Sequence, residues 1–136
     1  MKGPYRWLAF VIAVCCFSCE TTTTEPPPGP DVNAPVTANV TNTFTYSVNA
    51  NQFSDNSQNT LNFLSDSLVV TLSSSEYLSG QAIVSLRDSV NASVFSDTVR
   101  SNKTIAIVNL KTTRPKSCSI VVTNLTGKLV FVVVGQ

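Results

Sequence analysis

The chain has 136 residues, a formal net charge of +1 at pH 7, only 12% charged residues against 43% hydrophobic ones, and no histidine. That apolar content is too high for a disordered chain, and so weakly charged a protein is not expected to bind nucleic acid. Without histidine the commonest general base and metal ligand is missing. The five glycines build no phosphate-cradling loop, and no Ser-Lys pair stands in a recognisable motif, so the sequence reads as a non-enzyme without a cofactor.

In chain order, Lys2 and Arg6 lead into an almost unbroken apolar run over residues 7–17, closed by Ser18-Cys19. A spanning helix needs roughly twenty apolar residues, so this shorter run reads as an export signal. Its end resembles the lipobox of bacterial lipoproteins, in which a small residue precedes a cysteine that is acylated and becomes the new N-terminus. The resemblance implies that residues 1–18 are removed, that Cys19 carries the lipid, and that this lipid holds the protein to a membrane. Glu20 follows, where an aspartate would signal inner-membrane retention, so the resemblance implies the outer membrane of a bacterial envelope.

Residues 19–40 read as a tether. Thr21 to Thr24 cannot pack, and the run from Pro26 to Pro30 favours extended polyproline geometry that continues to Pro35. From Thr41 to the C-terminus the pattern changes to period two. Phe44, Tyr46 and Val48 alternate with polar residues as a first strand, and residues 49–59 are polar with Phe53 as a plug. Leu61 and Phe63 form a short strand, Leu68, Val70 and Leu72 the next. Residues 73–80 read as a connection ending on Gly80, which tolerates positive φ.

Ala82, Val84 and Leu86 resume the alternation, residues 88–91 turn, and Phe95 and Val99 point inward from a strand over 93–100. Residues 104–110 are apolar on both faces, and Pro115 keeps a basic loop out of the sheet. The last two strands, 118–123 and 128–134, flank residues 124–127 as a tight hairpin. No helical period appears after the signal. The expected class is all-β: a two-sheet antiparallel sandwich of seven or eight strands that resembles immunoglobulin or fibronectin-III domains at fold level, with a small barrel as the alternative. The cysteine pair and core tryptophan of antibody domains are missing, since Trp7 is the one tryptophan.

Of the four cysteines, Cys15 and Cys16 leave with the signal and Cys19 is lipidated, so Cys118 stands alone as a buried small hydrophobe. Charge divides along the chain. Residues 19–80 hold Glu20, Glu25, Asp31, Asp55, Asp66 and Glu76 with no base. Residues 81–136 hold Arg87, Arg100, Lys103, Lys111, Arg114, Lys116 and Lys128 against Asp88 and Asp97. Cross-strand pairing of the halves is expected, and the cluster over 111–116 is a candidate basic patch for anionic glycan or lipid headgroups.

Asp55, Ser57 and Asn59 have the one-three-five spacing of calcium ligands with Asp66 at the twelfth position, yet Thr60 stands where the loop needs glycine. No metal is therefore expected. Phe53 and Tyr77, with Tyr46, are candidates for stacking on a glycan, beside Asn49, Asn51 and Gln52. Asp66-Ser67-Leu68, Asp88-Ser89-Val90 and Asp97-Thr98-Val99 resemble an envelope O-glycosylation acceptor, which would place glycans on Ser67, Ser89 and Thr98.

Near the C-terminus Leu129, Phe131 and Val133 form an inward set, but Val130, Val132 and Val134 opposite them are apolar too, as is Val121 opposite Ile120 and Val122. Such a face is expected to be covered by the tether or to be a protein interface. Two functions follow from these residues. One is a structural or interaction role toward an envelope protein or a second copy; the other is a surface-exposed glycan-binding or adhesive module.

Overall fold

The computed structural model describes residues 31–136. The export segment, Cys19 and the run from Pro26 to Pro30 lie outside the described residues. Within them the chain is all-β: β1 Val36–Val40, β2 Thr43–Thr60, β3 Ser67–Arg87, β4 Ser93–Val99, β5 Lys103–Lys111 and β6 Ser117–Gly135. These form one antiparallel six-stranded sheet in the order β1-β2-β6-β3-β4, with β5 also on β3.

Three strands are far longer than the usual 5–6 or so residues: β2 has 18, β3 has 21 and β6 has 19. Each is interrupted at mid-length. The β2–β6 register slips on both sides of Phe53, and the β3–β6 register slips on both sides of Ser79. Left-handed backbone marks the same level, with Gln52 at φ 51° on β2, Glu76 at 54° and Gly80 at 85° on β3, and Asn124 at 46° and Gly127 at 143° on β6. Bulges of this kind bend a strand and raise its twist. Here three bends side by side crease the whole sheet.

The crease doubles the sheet over. Tyr46 and Asp55 lie on the same strand and would be about 30 Å apart if it were straight, yet the Tyr46 hydroxyl donates to Asp55 Oδ2 at 3.1 Å. The far ends meet as well, where Asn42 N–H donates to the Asn62 carbonyl at 2.9 Å. The first leaf holds β1, residues 43–50 of β2, 128–135 of β6, 67–75 of β3, and β5. The second holds residues 53–60 of β2, 117–125 of β6, 79–87 of β3, and β4.

The core lies between the leaves. Phe44, Leu72, Leu129 and Phe131 face it from the first leaf, and Val84, Leu86, Cys118 and Ile120 from the second. Phe131 stacks on Phe95 of β4 at 5.9 Å and 15° between ring planes, which joins the leaves directly. Leu61 and Phe63 are buried but belong to the β2–β3 connection rather than to a strand.

Several expectations are corrected. Residues 124–127 are no hairpin: both flanks pair with β2 on one side and β3 on the other, so β6 runs through and Leu125 is buried within it. Residues 73–80 likewise stay inside β3, and residues 49–59 stay inside β2, paired to β6 on either side of the slips although Ala50 and Phe53 are their only apolar members. β1 occupies residues 36–40, inside the stretch read as tether, and Val32 already bridges to Asn49. Among the described residues the strands number six, in one continuous ladder, and not seven or eight.

Candidate functional site

The crease gathers two of the three candidate aromatic residues. Phe53 pairs with Leu125 on β6, and Tyr77 lies in the β3 bulge on the other side of that strand. Both rings are half-buried and pack on the core, and the Tyr77 hydroxyl donates to the Gly80 carbonyl at 2.8 Å. Tyr46 is fully buried and offers nothing to a ligand. Burial, with Asp55 beside it, raises its hydroxyl pKa well above the ordinary tyrosine range, so it stays protonated.

Asp55, Ser57 and Asn59 do share one face of β2, as their spacing requires. Their polar atoms are committed locally: Asp55 accepts from Tyr46, and the Asn59 amide donates to Ser57 Oγ at 3.0 Å. Asp66 instead lines a cleft with Asp88 and Arg114. Among the described residues no three His, Cys, Asp or Glu side chains come together as a metal site.

The outer face of the first leaf is built from rows read straight across the ladder. Ala38, Thr45, Val132, Thr71 and Ala106 form one row, and Val36, Ser47, Val130, Ser73 and Thr104 a second. Val40, Thr43, Val134 and Val69 form a third. No charged residue stands in these rows. Val36 is 66% exposed, Val40 61%, Val130 38% and Val134 37%. Alternation along each strand explains the geometry, because the same strands send Phe44, Leu129, Phe131 and Val133 inward.

Val130, Val132 and Val134 are thus brought together. Val121 is not with them: it pairs with Asn56 and Ile83, on the outer face of the second leaf beyond the crease. Sequence reasoning missed Val36, Ala38 and Val40, because the tether reading absorbed β1. Their alternation with Thr37 and Asn39 was the available signal. At one corner of this face Asp31 and Ala34 border an apolar cleft of about 260 Å³ with Val36, Val130 and Lys128.

The cluster over 111–116 is not uniformly basic in space. Arg114 and Lys116 share a cleft of about 560 Å³ with Asp66 and Asp88, and Thr113 Oγ1 donates to Asp88 Oδ2 at 2.9 Å. Of the expected pairs between the acidic and basic halves, Glu76 meets Lys128 across β3 and β6; Asp97 pairs with Lys103 inside the basic half at 2.6 Å. A polar groove of about 400 Å³ on the second leaf is lined by Gln58, Thr60, Ser85, Arg87 and Ser119.

Ser89 is exposed, whereas Ser67 and Thr98 are half-buried. The preceding aspartates have structural work in two of the three tripeptides. Asp88 Oδ1 accepts from the N–H groups of Val90 and Ala92, and Asp97 Oδ1 from that of Thr98. Cys118 is a free, buried thiol whose pKa burial pushes up to about 12.

Comparison with protein-family profiles, curated proteins and solved structures gives no match to this chain.

Proposed function

We propose that this protein is a lipid-anchored component of a bacterial envelope, attached through Cys19 to the outer membrane, whose β domain works by protein interaction and not by catalysis. The observation that carries the interaction role is the outer face of the first leaf, with Val36, Val40, Val130 and Val134 exposed among threonines and serines and no charge between them. Contiguous exposed apolar surface is uncommon on a monomer. The anchor rests on the lipobox resemblance at Ser18-Cys19. The non-catalytic reading is supported by the lack of histidine in the chain and by the Cys118 and Tyr46 groups, both held protonated by burial.

We read the doubled sheet as a two-layer β-sandwich of the broad kind that includes immunoglobulin and fibronectin-III domains. The support is the core between the leaves and the Phe95–Phe131 contact. The continuous strands set it apart in detail, because the ladder runs through the crease.

A glycan-binding or adhesive role is the second reading. The groove beside Gln58, Ser85 and Ser119 favours it, because amides and hydroxyls suit sugar hydroxyls. It has no aromatic lining, and Phe53 and Tyr77 stand at the crease instead. Fractionation tests the anchor: Cys19→Ala is expected to leave the membrane fraction and lose labelling by a fatty-acid analogue. Crosslinking in the envelope tests the interaction. A partner is expected with the parent chain and not with Val130→Thr/Val132→Thr, while binding on a glycan array that is lost on Gln58→Ala would select the second reading.

A further inference from the structure

Among the described residues the folded sheet ends on several free strand edges, and they are not equally protected. Unpaired edges invite pairing with another chain, which natural sheets block with charge, bulges or inward-pointing ionised groups. β5 begins and ends on Lys103 and Lys111 and is bulged opposite β3, with Asn109 at φ 60°. β4 carries Asp97, and its register slips between Leu86 and Arg87. Residues 53–60 of β2 hold Asp55 on their inner face and slip next to Phe53.

β1 is the shortest strand and follows Pro35, which limits its edge, but it has none of the devices just named. Its sequence Val-Thr-Ala-Asn-Val contains no charge and no proline, its ladder to β2 has no shift, and all five residues are exposed. It is also symmetric in character about Ala38. A two-fold axis there sets Val36 opposite Val40 of a second copy, Thr37 opposite Asn39, and Ala38 opposite itself. Directly opposed residues of an antiparallel pair share a face, so both copies would add their Val36, Ala38 and Val40 to the apolar outer face. Such an isologous contact closes on itself and leaves no further edge of the same kind.

We infer that two copies of this protein associate through β1, paired antiparallel about Ala38 so that the two first leaves become one continuous sheet. The inference names the partner within the interaction reading given above, and it rests on that reading. It needs no contribution from the lipid.

The test uses the full chain in mild detergent. Opposed Cα atoms in an antiparallel pair are about 4.5–5.5 Å apart, within disulfide range, so Ala38→Cys is expected to form a covalent dimer on mild oxidation. Val36→Cys alone is expected to form none, because like positions would lie about 13 Å apart. Mixing it with Val40→Cys is expected to restore the link. Peptide mapping by mass spectrometry separates these links from any made by Cys118, or by Cys15, Cys16 or Cys19 in unprocessed chain. Ala38→Lys is expected to abolish the dimer in sedimentation while the far-ultraviolet circular dichroism stays unchanged.

A parent chain that sediments as a monomer overturns the inference. So does an Ala38→Cys link no stronger than that of Val108→Cys on β5, or a Val36→Cys link as strong as the mixture. If Val130→Thr/Val132→Thr loses an envelope partner while every β1 variant behaves as the parent, the interaction role stands and the β1 pairing falls.

Discussion

The two leaves share a core and differ on their outer faces. Across the first leaf the rows read Val36, Ser47, Val130, Ser73, Thr104 and Ala38, Thr45, Val132, Thr71, Ala106. Across the second they read Gln58, Ser119, Ser85, Ser96 and Thr60, Ser117, Arg87, Ser93, with Val121 and Ile83 as an isolated apolar pair. One strand, β6, supplies both: Val130, Val132 and Val134 to the first, Ser117, Ser119 and Val121 to the second. A solvated sheet face needs only polar alternation, and the second leaf has it. The valines of the first leaf point away from the core, and this is the feature on which the proposed interaction rests.

The contrast is confined to the outside, and the largest effects should ignore it. Phe131 is fully buried, lies on the first leaf and stacks on Phe95 from the second. Phe131→Ala is expected to cost about 3–5 kcal/mol and to unfold both leaves in one transition. Separate transitions for the leaves, in chemical denaturation followed by amide exchange, would show that the crease does not couple them.

The crease itself comes next. Gly80 has φ 85°, and a Cβ there would meet the Asn124 carbonyl oxygen at 2.2 Å and its carbon at 2.4 Å. Backbone of β6 cannot swing aside as a flexible side chain would, so Gly80→Ala combines a clash with left-handed strain of about 1–3 kcal/mol. At Gly127 an added Cβ comes no nearer than 2.9 Å, to the Tyr77 Cα. Gly127 also has positive φ, so Gly127→Ala adds backbone strain too, but with the lesser clash it is expected to be the milder of the two in thermal denaturation.

The inner alternation was legible in the sequence, because Phe44, Tyr46 and Val48, or Ala82, Val84 and Leu86, repeat every second residue and each set is buried. The crease was not. Asn124 and Gly127, and likewise Glu76 and Gly80, carry the positive φ of a turn, and a tight hairpin and a bulge in a continuing strand share that local signature. Only the partners tell them apart: β6 is flanked by β2 and β3 along both of its arms, a fact of long-range pairing. Polar residues 49–59 misled for the complementary reason. A strand held by ladders on a creased sheet needs no hydrophobic period. Of the outward apolar residues, Val130, Val132 and Val134 stood out in the sequence, while those of β1 were hidden beside proline-rich sequence and Val121 falls on the other leaf.

A smaller effect on stability sharpens the contrast between the outer faces directly. Val130→Thr/Val132→Thr and Ile83→Thr/Val121→Thr each replace two outward apolar residues with a β-branched hydroxyl residue that keeps strand propensity. Both pairs are expected to shift stability by no more than about 0.5 kcal/mol per site. Only the first is expected to change association in sedimentation and crosslinking. Equal loss from both pairs would mean that the two outer faces play the same part.

The smallest expected effect lies at the end of the molecule away from the crease. Asp88 accepts from the N–H groups of Ala92 at 2.8 Å and Val90 at 3.0 Å and from the Thr113 hydroxyl at 2.9 Å. These bonds favour the ionised carboxylate, the Ala92 N–H most, and hold its pKa below the ordinary value of 3.8. A carboxylate depressed in the folded state contributes stability that is fully present above the ordinary pKa and lost as pH falls through the folded one. The β3–β4 turn and the 112–116 loop that Thr113 ties to it should therefore loosen only in acid, below the usual carboxylate range. The group is open to solvent, so the change is expected in amide exchange at Val90 and Ala92 rather than in the global melting temperature. Asp88→Asn keeps an oxygen acceptor without a charge and is expected to lower the protection of those two amides, relative to their intrinsic exchange rates, at neutral pH and to leave that protection unchanged in acid. Unchanged protection of Val90 and Ala92 in that variant would assign the order of the loop to backbone pairing such as Lys116 N–H to the Arg87 carbonyl at 2.7 Å, and would remove the carboxylate from the account.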